Sequence, residues 1–212
     1  MSESAEQHRA CGTIDDLPLI GEPLPLELVN TTYVKGGMRG SVVDALCVPE
    51  DLDKWFALHQ DNFDASLGAA LRDVAPASGD HLSRFRVLRR ALRALATART
   101  DGTAPSAAAV GLVNRTAQLS AHWDELDPAD PFVALRRWGE ADPRLVALGV
   151  VAQEGVRLLA GASAVGLRAC SAPGCVLFFI KSHPRREWCT VGCGNRVRVA
   201  RYSRRFVGDP PE

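Results

Sequence analysis

The sequence predicts an α+β protein: a mainly α-helical N-terminal domain with a small β element, then a small C-terminal domain made of a β-hairpin and a basic helix. Three observations predict it. Apolar residues recur at three- and four-residue steps over residues 79–100 and again over 145–159. Short alternating runs closed by Gly, Pro and Asp mark strands and hairpins. Residues 168–206 concentrate four of the six cysteines and nine of the 25 Lys and Arg residues.

At 212 residues and 46% hydrophobic, the chain has material for one ordinary domain and a small appended one. Residues 1–24, rich in Pro and acidic groups, are expected to form a flexible arm, and no basic, apolar leader opens the chain. "LELVNTTYV", Leu26 to Val34, is β-rich and closed by Gly36 and Gly37, so it predicts a strand entering a turn. "VPEDLDKWFALHQDN" predicts a short helix, with Pro49 in its first turn, Glu50 and Asp51 at the positive end of its dipole, and Leu52, Trp55 and Phe56 on its apolar face.

Leu82, Phe85, Leu88, Leu92 and Leu95 stripe the clearest helix, while Arg84, Arg86, Arg89, Arg90 and Arg93 are expected on its solvated surface. "SAAAVGLVNRTAQL" predicts a further helix. "LSAHWDEL" and "FVALRRW" flank "DPADP" and predict a hairpin. Asp142 as N-cap and Pro143 at the first helical position open a last long helix, ending near "GASAVG". The apolar segment Leu145 to Leu167 carries Gln153, Glu154 and Arg157, which a membrane span does not tolerate, so a cytoplasmic protein without membrane association is expected.

The catalytic signatures tested are absent. "KGGMRGS" lacks the Lys-Ser/Thr ending that a phosphate-binding loop requires, and no HExxH, GxSxG or dinucleotide fingerprint occurs. Asp51, Asp53, Asp124, Asp127 and Asp130 sit where caps and turns favour Asp. The expectation is a protein that is not an enzyme.

The chemistry gathers at the C-terminus. Cys170-x4-Cys175-x13-Cys189-x3-Cys193 is two close pairs separated by a short segment, a spacing that brings four thiolates onto one tetrahedral zinc ion. Four protein ligands leave no open coordination position, so one structural Zn²⁺ is expected. "VLFFIKSHPRREW" between the pairs offers the hairpin that returns the chain, and Phe178, Phe179 and Trp188 supply a small core. Cys11 and Cys47 have no close cysteine in sequence and are expected to be incidental.

Residues 168–206 carry nine Lys and Arg against Glu187 alone, so a basic end of +8 balances a body of −8. Such asymmetry points to a polyanionic partner. In "GNRVRVARYSRRF" an apolar stripe of Val199, Tyr202 and Phe206 runs beside Arg198, Arg201 and Arg205. Guanidinium groups on a rigid helix suit phosphates and guanine edges. Lys181, Arg185, Arg186, Arg196, Arg198, Arg201, Arg204 and Arg205 are therefore the candidate DNA contacts. Asn30, Thr31 and Arg39 are candidates for a small-ligand pocket in the N-terminal domain, with backbone or turn bonding the alternative for these polar groups.

"WCTVGCGNRVRVARYSRR" resembles the CGNR zinc finger, and the preceding body resembles the ABATE domain of stress-induced bacterial transcription regulators through "LELVNT", "VVDALCVPEDLDKWFA", "LRRALRAL", "GLVNR" and the long helix before the finger. The resemblance implies that Cys170, Cys175, Cys189 and Cys193 ligate zinc and that Gly194-Asn195-Arg196 is the family signature. It implies a sensing or regulatory domain over residues 25–165, a finger over 168–206 and a tail over 207–212. It also implies a zinc-dependent DNA-binding regulator that senses a signal or forms a homodimer. Two rivals stand beside that reading: a protein-interaction module using the basic finger on an acidic surface, and an enzyme with its site in the N-terminal domain and a structural zinc.

Overall fold

The computed structural model describes residues 10–18, 21–37 and 40–206, without the side chains of residues 163 and 204–206. The expected α+β architecture is present. Strands β1 (Ala10–Cys11), β2 (Thr32–Lys35) and β3 (Ser41–Asp44) form one small sheet in the order β1-β3-β2, with β2 and β3 antiparallel and β1 parallel to β3. Helices α1 (Leu24–Val29), α2 (Pro49–Leu58), α3 (Ala65–Asp73), α4 (Gly79–Asp101), α5 (Ala107–Ala117) and α6 (Pro143–Ala160) build the body. An exposed antiparallel hairpin of β4 (His122–Leu126) and β5 (Ala134–Trp138) stands between α5 and α6. The C-terminal domain consists of β6 (Leu167–Ala169), β7 (Phe178–Ile180) and α7 (Val191–Phe206). No helix among the described residues is long and apolar enough to cross a membrane.

Leu24–Val29 is helical rather than extended, which corrects the expected strand over Leu26 to Val34. Its first residues, Leu-Pro-Leu-Glu-Leu, contain no β-branched side chain, and Pro23 and Pro25 suit a helix's first turn. The β-branched cluster begins at Val29, and the strand follows it at Thr32. All six residues of α1 are buried, Glu27 included, so this short helix is held by tertiary packing rather than by its own propensity.

The N-terminal segment is also corrected. From Ala10 it is no loose arm: β1 pairs with β3, Ile14 enters the core, and Cys11 forms a disulfide with Cys47, so neither cysteine is incidental. Residues 1–9 lie outside the described residues.

Helix α4 runs the length of the core. Ser78 caps it, accepting the His81 N–H, and Gly102 at φ +68° ends it in the left-handed conformation that glycine adopts freely. Phe85 meets Phe56 edge to face at 5.3 Å and tilts against Trp55 at 6.0 Å, which seats α2 on α4. Helix α6 lies close against α4 because Gly155 permits it; a Cβ there would sit 2.5 Å from Leu92 Cδ2.

The arginines of α4 are not all solvated. Arg89 is 1% exposed and grips Asp44 of β3 through both terminal nitrogens at 2.5 Å, with Nη1 also donating to Thr31 Oγ1. Arg93 donates to the carbonyls of Val29 and Val176, and its guanidinium lies over the Phe178 ring. Arg89 follows Phe85 by four residues and precedes Leu92 by three, so it falls on the apolar stripe itself. An ion pair so placed is stable only if both charges are satisfied.

A second buried polar pair sits under α1. Glu27 Oε2 and His59 Nε2 lie 3.7 Å apart, both nearly inaccessible and neither in a hydrogen bond, while Glu27 Oε1 accepts the Glu22 N–H at 2.5 Å. Burial pushes the Glu27 carboxyl up to about 7 against the N–H bonds it accepts, and burial pulls His59 down to about 4. A raised carboxyl binds its proton more tightly in the folded state. The stability from Glu27 is thus complete below its unfolded pKa near 4.5 and is lost as pH rises through about 7. His59 acts oppositely, its folded-state deficit of protons disappearing as pH rises through 6.5. Glu27→Gln isolates the first effect: chemical denaturation should find the variant gaining on the parent chain between pH 5 and pH 8 by on the order of 3 kcal/mol. A stability difference that does not change with pH would show that Glu27 titrates normally.

Candidate metal centre and basic helix

The second domain is built around its cysteines. Cys170 follows directly on β6, and its N–H donates to the Leu177 carbonyl. The chain then turns through Gly174, at φ +72°, so that the Cys175 N–H reaches the Ala172 carbonyl. After β7 the loop through His183 and Arg186 brings back Cys189. Thr190 Oγ1 accepts the Cys193 N–H, which starts α7 with Cys193 in its first turn. The four sulfurs all lie within 4.8 Å of one another. Three of the separations are 3.7 Å for Cys175 to Cys189, 3.7 Å for Cys175 to Cys193 and 3.3 Å for Cys189 to Cys193. Tetrahedral zinc with Zn–S bonds of about 2.3 Å sets its sulfurs about 3.8 Å apart, so these residues fit one structural zinc ion.

The electrostatics of the cluster suit a cation. Hydrogen bonds from the Cys175 and Cys189 thiols pull Cys170 down to about 2, while bonding to Cys170 pushes Cys175 up to about 12 and Cys189 upward as well. Four thiols this close cannot all ionise without a cation among them, and a divalent metal takes the place of their protons. Arg196 Nη2 donates to Cys193 Sγ at 2.8 Å, and the N-terminal dipole of α7 adds positive potential there. Trp188 closes over the helix start, where a Cβ on Gly194 would lie 3.0 Å from its ring.

This domain is bonded to the body at several points. The Asn30 carboxamide accepts the Phe178 N–H at 3.0 Å and donates to the Phe178 carbonyl at 2.9 Å. Glu22, 6% exposed, accepts the Ile180 N–H at 2.8 Å and pairs with Arg186 at 2.5 Å. Arg186 also donates to the carbonyls of Ile180 and Cys189 and stacks on Phe179 at 4.9 Å. Phe178 and Phe179 are buried in the core that the two domains share.

These bonds reassign several candidates. Asn30 and Thr31 do not line a ligand pocket: both are buried, Asn30 on the Phe178 backbone and Thr31 between the Leu28 carbonyl and Arg89. Arg39 lies outside the described residues. Arg186 and Arg196 leave the polyanion-facing set, because one is tied to buried Glu22 and the other to a zinc-site sulfur. Arg185, Arg198 and Arg201 are exposed, Arg198 bonding only locally to Asn195 Oδ1, and Lys181 is half-buried. Arg204 and Arg205 occupy the last turn of α7, with side chains outside the described residues. The buried side of α7 stops at Val197. Val199 and Tyr202 are 56% and 65% exposed, so these two residues of the expected apolar stripe face solvent, while the side chain of the third, Phe206, lies outside the described residues.

Glu22, Arg89 and Arg93 were not predicted. Arg89 alone left a trace in the sequence, through its place on an apolar stripe. The carboxylates read as structural are so placed: Asp51 caps α2 through the Cys47 and Val48 N–H groups, Asp53 accepts from Arg144, and Asp127 and Asp130 close the β4–β5 turn.

Two family models match the chain. The ABATE model, described as a putative stress-induced transcription regulator, matches residues 22–162. The CGNR zinc finger model matches residues 167–205. A search among curated proteins returns no match.

Native mass spectrometry should find one zinc per chain, and Cys189→Ser should lose it. Cobalt-substituted protein should show the intense thiolate-to-cobalt absorption of a four-sulfur site, weakened in the variant. A chain that takes up no zinc at neutral pH would contradict the assignment.

Proposed function

The chain belongs to the ABATE family and carries a CGNR zinc finger, and from that premise we propose that it is a zinc-dependent DNA-binding regulator, with α7 as the DNA-contacting element. The observation that supports this most is the division of the basic charge. Arg186 and Arg196 are used internally, while Arg185, Arg198 and Arg201 point to solvent around a helix that projects from the metal centre. A helix clamped at its first turn and exposed at Arg198, Val199, Arg201 and Tyr202 can enter a groove without unfolding anything. Tyr202, exposed among these arginines, adds a ring that can lie against sugar or base.

The metal has a structural role in this reading. Four protein thiolates leave zinc no position for substrate or water, so it holds the helix start and activates nothing. The chain then acts by binding rather than by catalysis, and the helical body acts as the regulatory domain. Because Asn30, Glu22 and Arg93 fix the finger's base to that body, a rearrangement in the body would be transmitted to α7 through the shared core.

Binding to duplex DNA should weaken linearly in log–log plots against salt, with a slope of about −0.9 per phosphate contacted. Replacing Arg185, Arg198 and Arg201 together with Ala should make that slope shallower by about 3 if each meets one phosphate. Zinc-loaded protein that fails to bind DNA at low salt, or a slope untouched by the triple replacement, would overturn the proposal and favour an acidic protein surface as the partner.

A further inference from the structure

We propose that the cleft where α4, α5 and α6 meet binds an amphiphilic organic monoanion, a carboxylate with an apolar body of about ten carbons. The cleft has a volume of about 490 Å³ and lies at the C-terminal ends of α4 and α6, within the range of small-molecule sites. Leu95 and Val113 form its buried floor, and Val110 and Val156, each more than a third exposed, form its walls. Two valines held open to solvent over an apolar floor gain from any apolar body that covers them.

The rim specifies the charge. Arg99 is the only ionisable side chain lining the cleft, and it makes no hydrogen bond or ion pair among the described residues. The exposed amide of Asn114 lies on the same rim. A guanidinium with five donors and no partner among the described residues, beside an apolar trough, matches a carboxylate joined to a hydrocarbon or aromatic body. A cation would meet Arg99 unfavourably, and a neutral amphiphile would leave it unsatisfied.

The position of the cleft makes occupancy consequential. Arg99 also lines a second depression, with Leu167, Arg168 and Ala169 of β6, so it stands between the cleft and the finger's first strand. Leu159 and Ala160, on the cleft wall, are the last residues of α6 before the short 3-10 segment Ala162–Gly166 that leads into that strand. The ligand therefore sits at the joint between body and finger. The inference concerns ligand binding alone and holds whether or not α7 contacts DNA.

Isothermal titration of the full zinc-loaded chain with decanoate, below its micelle concentration, tests the proposal. Decanoate should bind saturably at one site per chain, and uncharged decanol should bind about tenfold more weakly. Arg99→Gln should weaken decanoate about tenfold while leaving decanol unchanged. Val156→Trp, at a wall residue more than a third exposed, should fill the cleft and abolish binding of both. Hydrogen exchange should slow on addition of decanoate at residues 95–114 and 156–160 in the parent chain but not in Val156→Trp. Absence of binding, binding unaffected by both variants, or protection elsewhere would overturn the proposal. So would a dimer that Val156→Trp converts to monomer in the absence of decanoate binding, which would assign the cleft to a second copy of the chain.

Discussion

The architecture depends on a single amide. Asn30 ends α1, and its side chain holds both the N–H and the carbonyl of Phe178, 148 residues later, as a neighbouring strand would. That contact closes backbone groups of β7 that pairing with β6 leaves open, in a place where water cannot reach them. Glu22 extends the same seam by accepting the next free N–H, at Ile180, and Arg93 extends it in the other direction at Val176. Asn30 and Glu22 thus finish the hydrogen bonding of a strand that belongs to the finger, and Arg93 bonds the segment leading into it.

The energetic logic of the finger follows from this seam. A domain of about 40 residues buries too little apolar surface to be stable alone, and zinc supplies part of what is missing. Phe178 and Phe179 supply another part by packing into the body's core. The finger's own charges divide accordingly. Arg186 pairs with Glu22 and orders the loop before Cys189, Arg196 faces the thiolates, and Arg198 and Arg201 are exposed. Among the described residues, Glu22 of the acidic body pairs with Arg186 of the basic C-terminal segment at their seam, while Arg198 and Arg201 of α7 are exposed.

The parts legible in the sequence are those whose causes are local. The spacing of Cys170, Cys175, Cys189 and Cys193 marks a metal centre because two short loops suffice to bring the sulfurs together. Ser78 and Gly102 bound α4, and Asp142 with Pro143 starts α6, because caps act within one turn. What escaped is long-range. Leu24–Val29 holds three leucines and one valine; Pro23 and Pro25 allow a helix there, but a helix of six residues is held by its packing against α4 and α6. Glu22 looks like one more acid in a polar N-terminal segment until β7 arrives to use it. Cys11 and Cys47 lie 36 residues apart and become neighbours only through the pairing of β1 with β3. Arg89 and Arg93 differ from the solvated arginines of the same helix by the partners Asp44, Val29 and Val176, which three distant segments provide.

The central claim is that the body completes the finger's strand and so fixes the base of α7. Amide exchange at Phe178 and Ile180 in the full zinc-loaded chain tests it most directly, because each N–H has its acceptor on the body. Asn30→Ala should speed exchange at Phe178, and Glu22→Gln at Ile180, by about tenfold or more, with the amides of α4 unchanged. Exchange at these two positions that is as slow in the variants as in the parent chain would show that the finger holds its own strand and that the seam is a passive contact.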